Sequence, residues 1–344
     1  MHESSLNLAD VQRLLDLPAS TVQWLNGITR PSDARGLILP NDAEAERLLE
    51  RLGVEVIDRD TTLAARPDPD AHPALWWVLD RAYQDIVVTM GMPVGAGLAA
   101  LPTATGPVGR HLYVWLFLAA LPLVRDYHAV RSVPDAISWS SLADLGDEMA
   151  KSRMESGASG LDSTWGLPLV FRGASYRLGR LAFDRQQPQP HTSNHPVLRA
   201  GQSGLNTHVP AGGRLDPAAC DEAFAQARAF FPGRFPEQIA AFGCHSWLMD
   251  AQLATFLPET SNIIQFQRRF TQFSDDERAD WAPLENLFHR HYEGADVPST
   301  LLDELPQATT LQRGIVAHLR SGGHWYNRTG WMPFNAQAEH FTRI

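Results

Sequence analysis

The first third of the chain places apolar residues at helical spacing. In the segment over residues 8–17, apolar positions recur every three or four residues, which is the period of an amphipathic helix. The same period returns over residues 19–28, 41–54 and 72–91. A continuous apolar run over 112–124 is typical of a buried core helix. We therefore predict a helical N-terminal domain over residues 1–133.

The pattern changes to strand alternation in the second part. Val133-Pro134 breaks the helical pattern, and one more helix is predicted over 138–156. Beyond Gly160, short apolar and alternating segments separated by turn residues indicate strands. The predicted strands are two over 167–185 around the turn at 172–175, one over 203–210, a buried central one over 238–249, an alternating one over 262–273, and a last one over 324–334.

Helix signals lie between these strands, so residues 134–344 form a second domain of mixed type. Asp216-Pro217 is a strong helix start, because Asp caps the first amides and Pro fits the first turn. Ser274 and Glu277 have capping-box spacing and predict a second helix. The fold class expected for the whole chain is α+β, with a central mixed β-sheet in the second domain.

Composition narrows the class of protein. The chain has 344 residues, a net charge of −10 and two cysteines. An acidic chain lacks the basic surface that nucleic acid or an anionic membrane requires, so we expect neither partner. The apolar run over 112–124 is too short to span a bilayer. Two cysteines cannot build a disulfide framework, and we expect a reducing cytoplasm.

A double glycine stands between a predicted strand and the helix that begins at Asp216. Gly212 and Gly213 allow a close backbone approach, and Arg214 adds a positive charge ahead of the helix amides, which suits a phosphate. The stretch matches neither the Walker pattern nor the dinucleotide fingerprint. Acidic residues in the first helical turns oppose an anion. On the residues alone, a phosphate loop and a simple tight turn both remain open.

The order of these elements resembles the GNAT acyltransferase fold, and the chain resembles a bacterial family that joins a helical N-terminal acyltransferase domain to a GNAT-like C-terminal domain. The likeness is carried by "HVPAGGRLDPAACDEAFAQARAFF", "FGCHSWLMDAQLATFLPETSNIIQFQRRF" and "GGHWYNRTGWM". It implies acyl-CoA as co-substrate and no metal. It also implies that the loop after the presumed fourth strand holds the pyrophosphate, through Val209, Ala211, Gly212, Gly213 and Arg214. One departure is that the two glycines are adjacent and the arginine follows them.

Four residues are candidates for acid–base or nucleophilic chemistry under this resemblance. Cys244 and His245 lie on the presumed fifth strand, and because neighbours in a strand face opposite sides they cannot form a pair. A buried cysteine in the core is the simpler alternative for Cys244. His208, which shares its face with Asn206, is either a base or a backbone partner. Tyr326 on the last strand is either the acid or a packing residue.

Three further residues are candidates for substrate binding. Gln265 and Arg269 form the polar face of the predicted strand over 262–273, which is either a solvated surface or a site for a substrate carboxylate. Trp247, at the end of the presumed fifth strand, is the third candidate for substrate binding. His289 and His291 are two apart on a predicted helix and do not share a face, so no metal site is expected.

The expected function is the transfer of an acyl group from acyl-CoA to an amine of a small-molecule acceptor. Oligomer formation is compatible with the sequence. The altered glycine arrangement and the lack of one clear base favour an alternative, a binding or regulatory protein on a degenerate GNAT scaffold. A third hypothesis, a Cys- or Ser-dependent hydrolase, requires a Gly-x-Ser-x-Gly elbow, and "GCHSW" is not one.

Overall fold

The computed structural model describes residues 6–28, 36–93, 97–164, 166–192, 194–292, 294 and 296–335, with the backbone alone at 274–276. The helices are α1 (Leu8–Leu15), α2 (Ala19–Gly27), α3 (Asp42–Arg51), α4 (Val56–Ala64), α5 (Pro73–Val88), α6 (Gly106–Val130), α7 (Asp135–Leu142), α8 (Asp144–Ser156), α9 (Leu167–Phe171), α10 (Pro217–Phe230), α11 (Asn262–Gln267), α12 (Trp281–Phe288), α13 (Ser299–Glu304) and α14 (Thr310–Arg320). The strands are β1 (Ser175–Leu178), β2 (Leu181–Arg185), β3 (Gln202–His208), β4 (Gln238–Ser246), β5 (Thr271–Arg278) and β6 (Tyr326–Pro333).

Helix α6 forms the centre of the first part of the chain. It begins with Pro at its first turn and runs through Pro122, and residues 111–121 are buried without interruption. Together with the preceding turn it covers Thr103–Val130, which is long and apolar enough to cross a membrane by length and composition, yet 72% of its most apolar window is buried inside the protein. Its apolar character therefore fits the core helix of a helical bundle.

The division between the two compact units falls between Tyr176 and Arg177, later than the predicted boundary at residue 133. The reason is packing. Helices α7, α8 and α9 bury Leu142, Leu145 and Phe171 in the same apolar core as α6. Phe171 stacks on Phe117 of α6 with ring centroids 4.5 Å apart. The break at Val133-Pro134 is thus a turn between helices of one unit.

The strands form one six-stranded sheet in the order β1-β2-β3-β4-β6-β5. Pairing is antiparallel for β2 with β3, β4 with β6 and β5 with β6, and parallel for β3 with β4. This confirms the expected mixed sheet. One face of it packs on α10, where Phe183, Phe224 and Phe242 meet edge to face or tilted, with centroids 5.0–5.7 Å apart.

Two predicted strands are wrong in part. Leu167–Phe171 is the short helix α9, and the hairpin joins β1 to β2 through Gly179 and Arg180 rather than through 172–175. Residues 262–267 form helix α11, and only the residues from Thr271 onward are strand. Ile264 and Phe266 are buried in both arrangements, so a short apolar run does not distinguish a buried helical turn from a strand.

The predicted capping box also lies in a strand. Residues 271–278 are β5, and the next helix, α12, begins only at Trp281. Edge pairing of β5 with β6 extends to Arg278 opposite Tyr326. Residues on both sides of 274–276 pair with β6, from Thr271 to Phe273 and at Glu277 and Arg278, so tertiary pairing overrides the local helix signal.

Candidate functional site

Strands β3 and β4 part at the end of their parallel pairing. The last pair is Asn206 with Gly243, although β3 continues to His208 and β4 to Ser246. Beyond this point β4 pairs only with β6, from Cys244 opposite Gly330 to Ser246 opposite Arg328. The two strands therefore leave an opening in the middle of the sheet, which we call the splay.

Each of the two strands that bound the splay, β3 and β4, carries an imidazole on the same face of the sheet. Asn206 and Gly243 are register partners, and side chains two residues apart in a strand share a face. His208 on β3 and His245 on β4 therefore lie on one face. Thr207 and Cys244 lie on the opposite face, the one that packs on α10. The sequence prediction that Cys244 and His245 point apart agrees with this placement.

His208 is held by a carboxylate from the neighbouring strand. Its Nε2 lies 2.5 Å from Oδ2 of Asp184, and the amide nitrogen of Asn206 lies 3.0 Å from the same Nε2. Asp184 is 8% exposed, so this carboxylate is poorly solvated. Because a carboxylate only accepts, the short contact with Asp184 requires the tautomer in which Nε2–H donates to Asp184 and Nδ1 is the basic position of the ring. In that tautomer the Asn206 amide nitrogen, which is also a donor, does not hydrogen-bond to Nε2.

His245 meets a looser set of partners. Its Nδ1 and the hydroxyl of Thr329 on β6 lie 2.9 Å apart, and its Nε2 lies 3.4 Å from a carboxylate oxygen of Glu277 on β5. The side chains of His245 and Glu277 are 43% and 64% exposed. An exposed pair at this distance holds a ring less firmly than the Asp184 contact holds His208.

Cys244 does not fit a nucleophile. Its side chain is 2% exposed, and burial raises the pKa of the thiol to about 12. Only the thiolate attacks a thioester, and at such a pKa the thiolate is scarce at neutral pH. The structure therefore corrects this candidate, and Cys244 is a core residue.

Tyr326 lies at the start of β6, paired with Arg278 of β5. Its backbone amide donates to the buried carboxylate of Asp250, and the guanidinium of Arg328 packs over its ring at 5.3 Å from the centroid. These contacts explain the packing role that was its alternative. A role as the acid stays a prediction.

The loop after β3 has the shape that the glycines suggested. Gly212 and Gly213 both adopt left-handed backbone angles, with φ of 77° and 72°, and a side chain built on either would meet open space. Residues 211–214 are exposed, and Val209 is half-buried. Within the described part of the chain, no backbone carbonyl accepts from the amides of Gly212, Gly213 or Arg214.

Arg180 holds the backbone carbonyls of this loop on one side. It comes from the β1–β2 hairpin, and its guanidinium donates to the carbonyls of Pro210, Gly213 and Arg214 at 2.9–3.3 Å. With the carbonyls drawn toward Arg180, the loop amides are the donors that remain for an anion. The α10 amides are less available, because Asp216 accepts from Ala218 and Ala219 at 3.1 Å.

The contacts described for the three predicted substrate-binding residues are with groups other than the two imidazoles. Arg269 donates to Asp221 and to the carbonyl of Pro217, and so fastens the first turns of α10. Gln265 lies on α11 and donates to the carbonyl of Thr260. Trp247 is 7% exposed in an apolar cluster. The predicted strand face that grouped Gln265 with Arg269 is absent because these residues are helical or follow a helix, which corrects the predicted site.

Sequence reasoning missed the residues that orient the candidates. Asp184 is an acidic residue that follows three apolar residues in strand β2, and this signal was visible in the sequence. Arg180 follows a glycine in a hairpin, and no sequence signal indicated its role. Glu277 was interpreted as a capping residue. Among the described residues, no cluster of three or more metal-ligating side chains occurs.

Comparisons with known proteins cover nearly the whole chain. A family model described as the N-acyltransferase N-terminal domain matches residues 43–173, and one described as the GNAT-like C-terminal domain matches residues 175–332. An acyltransferase solved in complex with decanoyl-CoA and teicoplanin is 37% identical, with a TM-score of 0.84 over 96% of this chain and 100% of its own. An acyltransferase mutant in complex with octanoyl-CoA gives the same identity and TM-score over 95% and 99%. No curated protein sequence matches significantly.

Proposed function

Because the chain belongs to the acyltransferase family that joins an N-acyltransferase N-terminal domain to a GNAT-like C-terminal domain, we propose that it transfers an acyl group from acyl-CoA to an amine of a small-molecule acceptor. The observation that carries the proposal is the splay, which opens where the His208 imidazole meets the Asp184 carboxylate and where the glycine loop follows β3. These are the parts that a direct transfer needs: a place for the donor and a base for the acceptor.

The donor carries a medium-length acyl chain. Decanoyl-CoA and octanoyl-CoA occupy the relatives, which supports a chain of that class here. The acceptor class follows in the same way, since one relative is in complex with decanoyl-CoA and teicoplanin and another with CoA and 10C-teicoplanin, so a glycopeptide that bears an amine is the acceptor to test first. Both cysteines are free and buried, which fits work in a reducing cytoplasm.

His208 acts as the base in this proposal. It accepts a proton from the acceptor amine as the amine nitrogen bonds to the thioester carbonyl carbon. The carbon–sulfur bond then breaks, and the thiolate of coenzyme A leaves and takes up, through solvent, the proton that His208 accepted, which restores the neutral imidazole. Asp184 keeps the imidazole in one tautomer and one orientation and stabilises the cation that forms. No acyl-enzyme is formed, in agreement with the buried Cys244.

The glycine loop over residues 209–214 holds the pyrophosphate of the donor in this proposal. Gly212, Gly213 and Arg214 offer backbone amides, and the Arg214 side chain is exposed and able to turn toward a phosphate. Asp216 competes for the helix amides, so the loop contributes more of the binding than the helix does.

The test is a comparison of acetyl-, octanoyl- and decanoyl-CoA. We expect the longer donors to raise the melting temperature most, since a ligand that binds only the folded state stabilises it. With an amine-bearing glycopeptide of the teicoplanin type as acceptor, mass spectrometry should detect the mass of one added acyl group and a matching release of coenzyme A. Binding without turnover would instead support the degenerate binding protein, and acyl-CoA hydrolysis without acceptor would support a hydrolase.

A further inference from the structure

Thr207 occupies the first position of β3 beyond its last pair with β4. Asn206 pairs with Gly243, whereas Thr207 pairs only with Phe183 of β2 on its other side. Its side chain points to the α10 face and is 2% exposed. The hydroxyl Oγ1 is buried and has no hydrogen-bond partner among the described residues.

A buried hydroxyl without a partner is costly, because folding removes its water and gives nothing in return. Its cross-strand neighbour on that side, Phe183, is apolar, and the rings of Phe224 and Phe242 adjoin Phe183. An unsatisfied buried group of this kind calls for an explanation in a native fold. Its position at the opening of the sheet indicates a ligand.

We infer that the Thr207 hydroxyl forms a hydrogen bond with an amide of the pantetheine arm of the donor, and so helps to select coenzyme A thioesters. The inference rests on the proposed function. The arm joins the pyrophosphate to the sulfur and contains two amides, and a chain that leaves the loop at 209–214 for the splay passes the end of β3. A hydroxyl both donates and accepts, so it suits either the N–H or the carbonyl of an amide.

Ser203 provides a matched control on the same strand. It shares the α10 face, is 1% exposed, and its Oγ is also buried without a described partner. It lies where β3 still pairs with β4, opposite Ile239, so the closed sheet separates it from the splay. Removing either hydroxyl removes the same kind of buried polar group, but only Thr207 is at the opening.

The experiment measures calorimetric binding of coenzyme A and of adenosine 3′,5′-bisphosphate, which lacks the pantetheine arm and the outer phosphate of the pyrophosphate. We expect Thr207→Val to weaken coenzyme A binding by about three- to tenfold, the worth of one neutral hydrogen bond, and to leave bisphosphate binding unchanged. Thr207→Ser keeps the hydroxyl and should retain the parent affinity. Ser203→Ala should bind both ligands as the parent does.

Stability separates this role from a structural one. Without ligand, Thr207→Val should melt at the same temperature as the parent or higher, because it removes an unsatisfied group. If that variant does not fold, Thr207→Ala replaces it with the same expectation for binding. Unchanged coenzyme A affinity, or an equal loss for the bisphosphate, overturns the inference. A parent protein that binds no coenzyme A overturns the proposed function itself.

Discussion

His208 and His245 share a face of the sheet but meet different carboxylates. Asp184 is nearly buried and lies 2.5 Å from His208, whereas Glu277 is exposed and lies 3.4 Å from His245. A base must keep its ring in one orientation toward the substrate, and only the first pair has a partner that burial holds in place. We therefore propose His208 as the base and use His245 as the comparison residue.

We expect His208→Gln to lower kcat by about a hundredfold or more, since a positioned base contributes that much. Asp184→Asn should also lower kcat, while coenzyme A affinity stays at the parent value in both variants. His245→Gln is the matched control, because it removes an imidazole from β4, the other strand that bounds the splay. A larger loss of kcat in His245→Gln than in His208→Gln would move the base to β4.

His128 predicts how the helical unit responds to acid. It is 1% exposed, its Nδ1 lies 2.7 Å from the Ser138 hydroxyl, and burial, assisted by the nearby Arg125, lowers its pKa from 6.5 to about 4. Between these two pH values His128 is protonated in the unfolded chain and neutral in the folded chain. The free energy of unfolding therefore falls as the pH drops from about 6.5 toward 4. The effect is on the order of 2–3 kcal/mol.

Denaturant unfolding over this pH range checks the prediction. His128→Gln should flatten the acid dependence of stability, whereas His191→Gln, at an exposed histidine, should leave that dependence as in the parent. If the parent and the His128 variant lose stability in parallel, His128 does not govern the acid response.

At the scale of the element, the loop over 209–214 depends on a hairpin far away in the sequence. Arg180 donates to three of its carbonyls, so the loop shape is set by a side chain of the β1–β2 hairpin. Two consecutive glycines allow the left-handed turn that this arrangement needs, where other residues would be strained. The glycines permit the shape and Arg180 selects it.

We expect Arg180→Gln to weaken coenzyme A binding by roughly tenfold or more, because charge-assisted hydrogen bonds to the loop are lost together. Arg214→Ala should weaken it by a comparable factor through the loss of a direct phosphate contact. Arg199→Gln is the control, as its side chain is exposed elsewhere in the second unit. Calorimetry decides the matter, and equal affinities in all three variants would make the loop a simple turn.

At the scale of the whole molecule, the boundary between the units determines where a protease reaches the chain. The segment at 156–160 belongs to the first unit and is tied to Arg110, which donates to Ser156, Ala158 and Ser159. The segment at 187–192 belongs to the second unit and is mostly exposed. The pattern of glycines and prolines marked both segments equally.

Limited digestion with a nonspecific protease should therefore cut first within residues 187–192. A cut there leaves the complete helical unit, which ends at Tyr176, in one fragment. The earliest fragments are identified by mass spectrometry. Digestion of the Arg110→Gln variant beside the parent protein shows whether Arg110 protects residues 156–160. A first cut at 156–160 in the parent would contradict this account and favour the boundary at residue 133.

The sequence by itself determined the class of each half, since helical period and strand alternation report which side of an element is buried. It also located the glycine loop, the Asp216 cap and the shared face of Asn206 and His208, because these depend on neighbours in the chain. The resemblance drawn from three stretches proved correct for the family and the fold.

Only the tertiary structure decided which candidates meet a partner. Asp184 reaches His208 through the register of β2 with β3, and Arg180 reaches the loop across the same sheet. The burial of Cys244 and the helical turn of α11 depend likewise on what packs against them. Periodicity gives the buried side of a segment, but it does not give the strand, the register or the side chain that lies opposite, because those contacts join residues far apart in the chain.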